Sequence, residues 1–164
     1  MSQLILSSGY DIMAGWASGA LKTPINVMYV GFTNDPGLSA SPPNFDDDIA
    51  AYFNSLPANR DYLRVPILSQ PSTVSTNEQT YAGNQAIFVS ITQSGTGVLG
   101  IDFQSAGPGT EASRVIEAAL VVAPSIGDPE QDRIFAYTLI EPAIPRGDGT
   151  QIAVQWAQTF KHEE

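Results

Sequence analysis

Acidic side chains are the groups in this sequence best equipped for chemistry. Asp46-Asp47-Asp48 stand together, Asp128, Glu130 and Asp132 alternate, and Asp148 comes directly after Arg146-Gly147. Clustered carboxylates can hold a hard cation, but calcium takes six or more oxygens from a shaped loop, and none of these groupings has the twelve-residue EF-hand spacing. No metal ligand set is expected. Two facing carboxylates could also hydrolyse a glycosidic bond, yet with seventeen Asp and Glu no pair stands out.

Other chemistries lack their parts. There is no cysteine, and the one histidine, His162, is the third residue from the end. A thiol nucleophile, a zinc site of the usual kind and a Ser-His-Asp triad are therefore not expected. Gly95-Thr96-Gly97-Val98-Leu99-Gly100 has the GxGxxG spacing of a dinucleotide loop, with Glu117 seventeen residues on. The residues just beyond it, including Gly107-Pro108-Gly109, cannot open the helix such a loop requires, so a hairpin or bulge is expected instead. Arg146-Gly147-Asp148 copies an integrin-binding tripeptide, but Pro145, Gly147 and Gly149 make it a turn between strands.

Seven Lys and Arg against seventeen Asp and Glu give a net charge of −10, with only 15% of 164 residues charged. Scattered basic residues and this acidity argue against a nucleic-acid partner. Neither a secretory leader nor a membrane segment is expected, since the longest wholly apolar run, Ala118 to Ala123, is far short of a bilayer span. The chain should be non-enzymatic and without a cofactor.

The elements that must position these groups are mostly strands. Alternating or β-branched segments separated by Gly, Pro and Asn predict strands over Gln3–Ser7, Ile25–Thr33, Tyr62–Leu68, Ala86–Gln93, Val98–Phe103, Arg114–Ala123, Arg133–Glu141 and Gln151–Phe160. In the seventh, Phe135, Tyr137 and Leu139 should face away from Ile134, Ala136, Thr138 and Ile140. Pro66 should put its strand at a sheet edge or bulge.

Two short helices are predicted, Phe45–Leu56 capped by Asn44 and Tyr10–Leu21, the second weakened by Gly15 and Gly19. The fold class predicted is all-β: an antiparallel β-sandwich, jelly-roll-like, with residues 1–22 as an N-terminal arm or short helix packing on or beyond a single domain over 23–164. The loops 34–43 and 69–84 are long enough to meet a neighbouring chain. Trp16, Leu21, Pro66 and Tyr81 are the candidate interface residues. A sugar- or receptor-binding reading would use solvent-facing aromatics such as Tyr81.

Gly19-Ala20-Leu21-Lys22-Thr23-Pro24-Ile25-Asn26 with Tyr29 and Asn34, and Arg60-Asp61-Tyr62-Leu63-Arg64-Val65-Pro66, resemble segments of small structural proteins of tailed-bacteriophage virions. Ala118-Ala119-Leu120-Val121, the Gly127-Asp128-Pro129 turn, Ile134–Thr138 and the strand Gln151–Phe160 add to the resemblance. It implies a component made in the bacterial cytoplasm and built into the virion, in the neck, tail or baseplate, or alternatively as a capsid cement or decoration protein. It also implies a homo-oligomer, trimer or ring, contacting other virion structural proteins, with no membrane partner. It carries no site residues.

Overall fold

The computed structural model describes residues 3–33, 44, 46–55, 60–67, 74–76, 84–92, 114–145 and 152–160. Their order is β1 (Gln3–Ile5), α1 (Ser7–Ser18), β2 (Val27–Thr33), α2 (Ile49–Asn54), β3 (Arg60–Pro66), β4 (Val74–Thr76), β5 (Asn84–Thr92), β6 (Arg114–Val122), β7 (Arg133–Pro145) and β8 (Ile152–Phe160). One 3-10 turn, Pro129–Gln131, lies between β6 and β7. The protein is mostly β, as its alternation predicts. The expected strand over Val98–Phe103 lies outside the described residues.

Among the described residues β1-β7-β6-β2-β3 form a five-stranded sheet and β4-β5-β8 a three-stranded one. Every pairing is antiparallel. β3 lies at an edge of the larger sheet, where Pro66 removes a ladder donor at least disturbance.

The five-stranded sheet has two dissimilar faces. On the inner face Met28, Val30, Phe32, Leu63, Val65, Ala118, Leu120, Val122, Phe135, Ala136 and Ile140 form one apolar cluster, joined by Phe88 of β5 and Trp156 of β8. Helix α1 closes part of this cluster through buried Ile12, with Met13 and Trp16 packed against it. The outer face gathers Leu6, Val27, Tyr29, Tyr62, Ala119, Val121, Ile134, Tyr137 and Leu139 under Ile49 and Phe53 of α2.

Simple alternation fails at two bulges. Val121 pairs with Ile134 and Leu120 with Ala136, so Phe135 is an extra residue opposite one peptide step of β6. The parity of β7 flips there. Phe135 therefore joins Ala136 on the inner face, while Ile134 joins Tyr137 and Leu139 on the outer, correcting the expected split. On β6, Ile116 is the corresponding extra residue between the Val115 and Glu117 pairings with β2.

The helices are also displaced from their predicted bounds. Helix α2 begins at Ile49 rather than Phe45, because Asp48 is its cap: Oδ1 accepts the Ala51 N–H at 3.0 Å. Asn44 instead donates its N–H to Asp47 Oδ2 at 2.6 Å. Helix α1 starts three residues before Tyr10 and stops at Ser18, with Gly19 as its left-handed C-cap. Gly9 lies inside α1 because a Cβ there would overlap the Phe135 carbonyl and approach Ile5 Cγ2 to 2.9 Å. Close helix-to-sheet approach outweighs the helix propensity lost.

Candidate functional site

Three charged residues are buried among the described ones, Arg64, Glu117 and Asp132, and all three belong to the outer side of the sheet. Burying a charge is unfavourable unless partners replace its water. Each has such partners.

Arg64 comes from edge strand β3 and Asp132 from the position between the 3-10 turn and β7. The guanidinium Nε lies 2.6 Å from Asp132 Oδ2 and one terminal nitrogen 2.8 Å from Oδ1, a two-pronged ion pair. The remaining donors reach backward along the β6–β7 connection, to the Ile126 carbonyl at 2.5 Å and the Ser125 carbonyl at 3.3 Å. Tyr29 of β2 also donates its hydroxyl to Asp132. One guanidinium thus ties the connection to β3, two strands away in the sheet.

Two members of this network, Arg64 and Tyr29, have their pKa values raised. The Asp132 hydrogen bond, opposed by burial, raises the Arg64 pKa, so the guanidinium stays charged. Burial first, then the hydrogen bond to Asp132, pushes the Tyr29 phenol far above its ordinary range. A proton-transfer role near neutral pH is poorly served by such groups.

The second group centres on Glu117 in the middle of β6. Tyr52 of α2 donates to its two carboxylate oxygens at 3.0 and 2.9 Å, and Tyr137 of β7 donates to Oε2. Gly31 faces it across the β2–β6 pairing. A Cβ at Gly31 would overlap Glu117 Cγ and lie 2.8 Å from Oε1, so the glycine makes room for the buried carboxylate. Around both groups Tyr29, Phe53, Tyr62 and Tyr137 pack ring to ring, with Tyr29–Tyr62 centroids 4.8 Å apart and Phe53–Tyr62 5.0 Å apart. The arrangement can join α2, β2, β3, β6 and β7 through hydrogen bonds whose geometry rejects other registers.

A cavity of about 300 Å³ opens beside this face, lined by Ser7, Ser8, Asp11, Asp46, Asp47, Asp48, Ile49, Ala50 and Ile134. Among the described residues no group of three or more His, Asp or Glu is placed to hold a metal ion. The alternating acids 128, 130 and 132 diverge: Asp128 accepts the Glu130 N–H at 3.2 Å and the Gln131 side-chain amide at 2.6 Å, while Asp132 faces Arg64. No helix among the described residues is long and apolar enough to cross a membrane.

Of the candidate interface residues, Trp16 and Leu21 both pack against the inner apolar cluster, which Pro66 does not join. Trp16 is half-buried in α1, stacked 5.7 Å from Phe135 and donating its indole N–H to the Thr23 carbonyl at 2.8 Å. Leu21 packs against the inner cluster, and Pro66 is exposed at the end of β3. Tyr81, the GxGxxG segment 95–100 and the 146–148 tripeptide lie outside the described residues.

Sequence reasoning missed Arg64 and Glu117. Glu117 was hidden in a segment read as almost wholly apolar, and the signal was its own presence: one acid inside an apolar strand requires partners. Comparison with protein-family models, curated proteins and solved structures gave no match.

Proposed function

We propose that this chain is a non-enzymatic structural protein of a tailed-phage virion, a jelly-roll-like β-sandwich that joins larger components of the neck, tail or baseplate through subunit contacts. One observation carries the non-catalytic part of this reading. All three buried charged residues among the described ones spend their hydrogen bonds on tying strands, helix and connection together. Catalytic groups, by contrast, need access to a substrate and a pKa near the working pH.

The sandwich is favoured by the position of Phe88 and Trp156, which bring the three-stranded sheet onto the inner apolar face of the larger one. Sparse charge favours assembly: with 15% of residues charged, subunit contacts can form while burying few ionic groups. The placement within the particle rests on the sequence resemblance.

Quantitative mass spectrometry of virions carrying this gene tests the proposal. A low copy number, in the small multiples of a ring, is the expected result. Hundreds of copies would move the protein to the capsid shell as a cement or decoration protein, and absence from the virion would overturn the structural role.

A further inference from the structure

The connection between β6 and β7, from Ala123 to Asp132, is fastened by three sets of hydrogen bonds. Asn26, just before β2, accepts the Ala123 N–H at 2.8 Å on its side-chain oxygen and donates its amide to the Ala123 carbonyl at 2.9 Å, a two-pronged clasp at one end. Arg64 fastens the middle and the other end through the Ser125 and Ile126 carbonyls and the Asp132 carboxylate. Within the connection the Asp128 N–H donates to the Ser125 carbonyl at 3.2 Å, and the Asp128 carboxylate accepts from Glu130 and Gln131. Pro124 and Pro129 fix two of its φ angles.

A strand connection requires none of this. Such segments are ordinarily the loose parts of a fold, and a buried ion pair is often no more stable than apolar residues of similar volume in its place. What Arg64 and Asp132 specify is one shape for a stretch of surface chain. That stretch is apolar where it meets solvent: Pro124 is exposed, and Ile126 is 42% exposed while its own carbonyl is held by Arg64. A lone exposed isoleucine is ordinary. One whose peptide is fastened by a buried guanidinium is already ordered, so that a partner gains its apolar contact without the entropy of fixing it.

We propose that the β6–β7 connection is a pre-organised docking loop, which seats Ile126 in an apolar pocket bordered by Lys or Arg on a different protein. Charge selects the partner. Asp128 and the exposed Glu130, which follow Ile126 in the connection, favour a basic rim. A second copy, with seven basic residues against seventeen acids, supplies such a rim poorly. The inference deepens the structural role proposed above and rests on it for the virion as the place where the partner is met.

Virions assembled with variant copies of this chain test it. Ile126→Asp should lower the copy number per virion roughly ten-fold or more, while the purified variant melts at the wild-type temperature. Ile144→Asp, the same change at another exposed isoleucine, should leave the copy number as it is. Arg64→Met with Asp132→Leu should fold yet enter virions less well, because the Ser125 and Ile126 carbonyls are released. With p-benzoylphenylalanine in place of Ile126, irradiated virions should show a crosslink to a different protein, in a peptide containing Lys or Arg. Full incorporation of Ile126→Asp, equal loss with Ile144→Asp, full incorporation of the double variant, or a crosslink only to a second copy would each overturn the proposal. All four leave the structural role standing, whereas a wild type absent from virions overturns both, so the two readings fail distinguishably.

Discussion

The inner and outer faces of the five-stranded sheet are made by the same strands, yet they are held together by different physics. Inward, the sheet presents Met28, Val30, Phe32, Leu63, Leu120 and Phe135, a surface that only needs filling. Outward, the same strands carry Arg64, Glu117 and the ring-packed Tyr29, Tyr62 and Tyr137, joined by Phe53 of α2 and by Asp132 just before β7, and there hydrogen-bond direction matters as much as volume. An apolar face tolerates any packing of suitable volume. A buried polar face tolerates few, because each unmade hydrogen bond leaves a group without water or partner.

That contrast can be broken most forcefully at Arg64. Arg64→Ala leaves Asp132 buried without its cation and should cost about 3–5 kcal/mol in urea unfolding. Replacing both residues together, Arg64→Met with Asp132→Leu, should recover much of that loss. A double variant as unstable as Arg64→Ala would show that the pair itself, not the orphaned charge, is what the fold requires.

Gly31→Ala should destabilise by about 1–3 kcal/mol, the usual range for overpacking, because its Cβ meets the Glu117 side chain. Thermal unfolding reads it directly. If Gly31→Ala combined with Glu117→Ala is no more stable than Gly31→Ala alone, the clash is not the cause.

Alkaline pH probes the same face through Tyr29. Its folded pKa is raised, so the stability it contributes is complete below the ordinary tyrosine range and declines as pH climbs above about 10, where the unfolded phenol ionises first. The expected slope from this group approaches about 1.4 kcal/mol per pH unit. Tyr29→Phe should flatten that part of the stability profile.

The smallest effect belongs to the inner face. Met28→Leu preserves volume among apolar neighbours and should cost less than about 1.5 kcal/mol. A larger loss in denaturant titration would mean that the inner face also demands one particular packing.

Much of the strand pattern was legible in the sequence. β2, β5, β6, β7 and β8 each fall within a few residues of segments read from alternation, and Pro66 marked β3 for an edge. The outer-face networks were not legible. Arg64 meets Asp132 across 68 residues of chain, and Tyr52 meets Glu117 across 65, separations that no local spacing encodes. Asp132 read as one of several turn acids, and only the fold distinguishes it from Asp128, which caps the 3-10 turn a few residues away.

By itself the sequence determined the β class, the approximate strands, the acidic but sparse charge and the absence of thiol chemistry, because these are consequences of composition and of a period of two along each strand. The tertiary structure decided which face each residue occupies. A bulge adds one residue and reverses the parity of everything beyond it, as at Phe135, and whether an added residue is accommodated depends on the partner strand. It also decided which acids are buried and which strands form borders, since both are set by pairings between segments far apart in the chain.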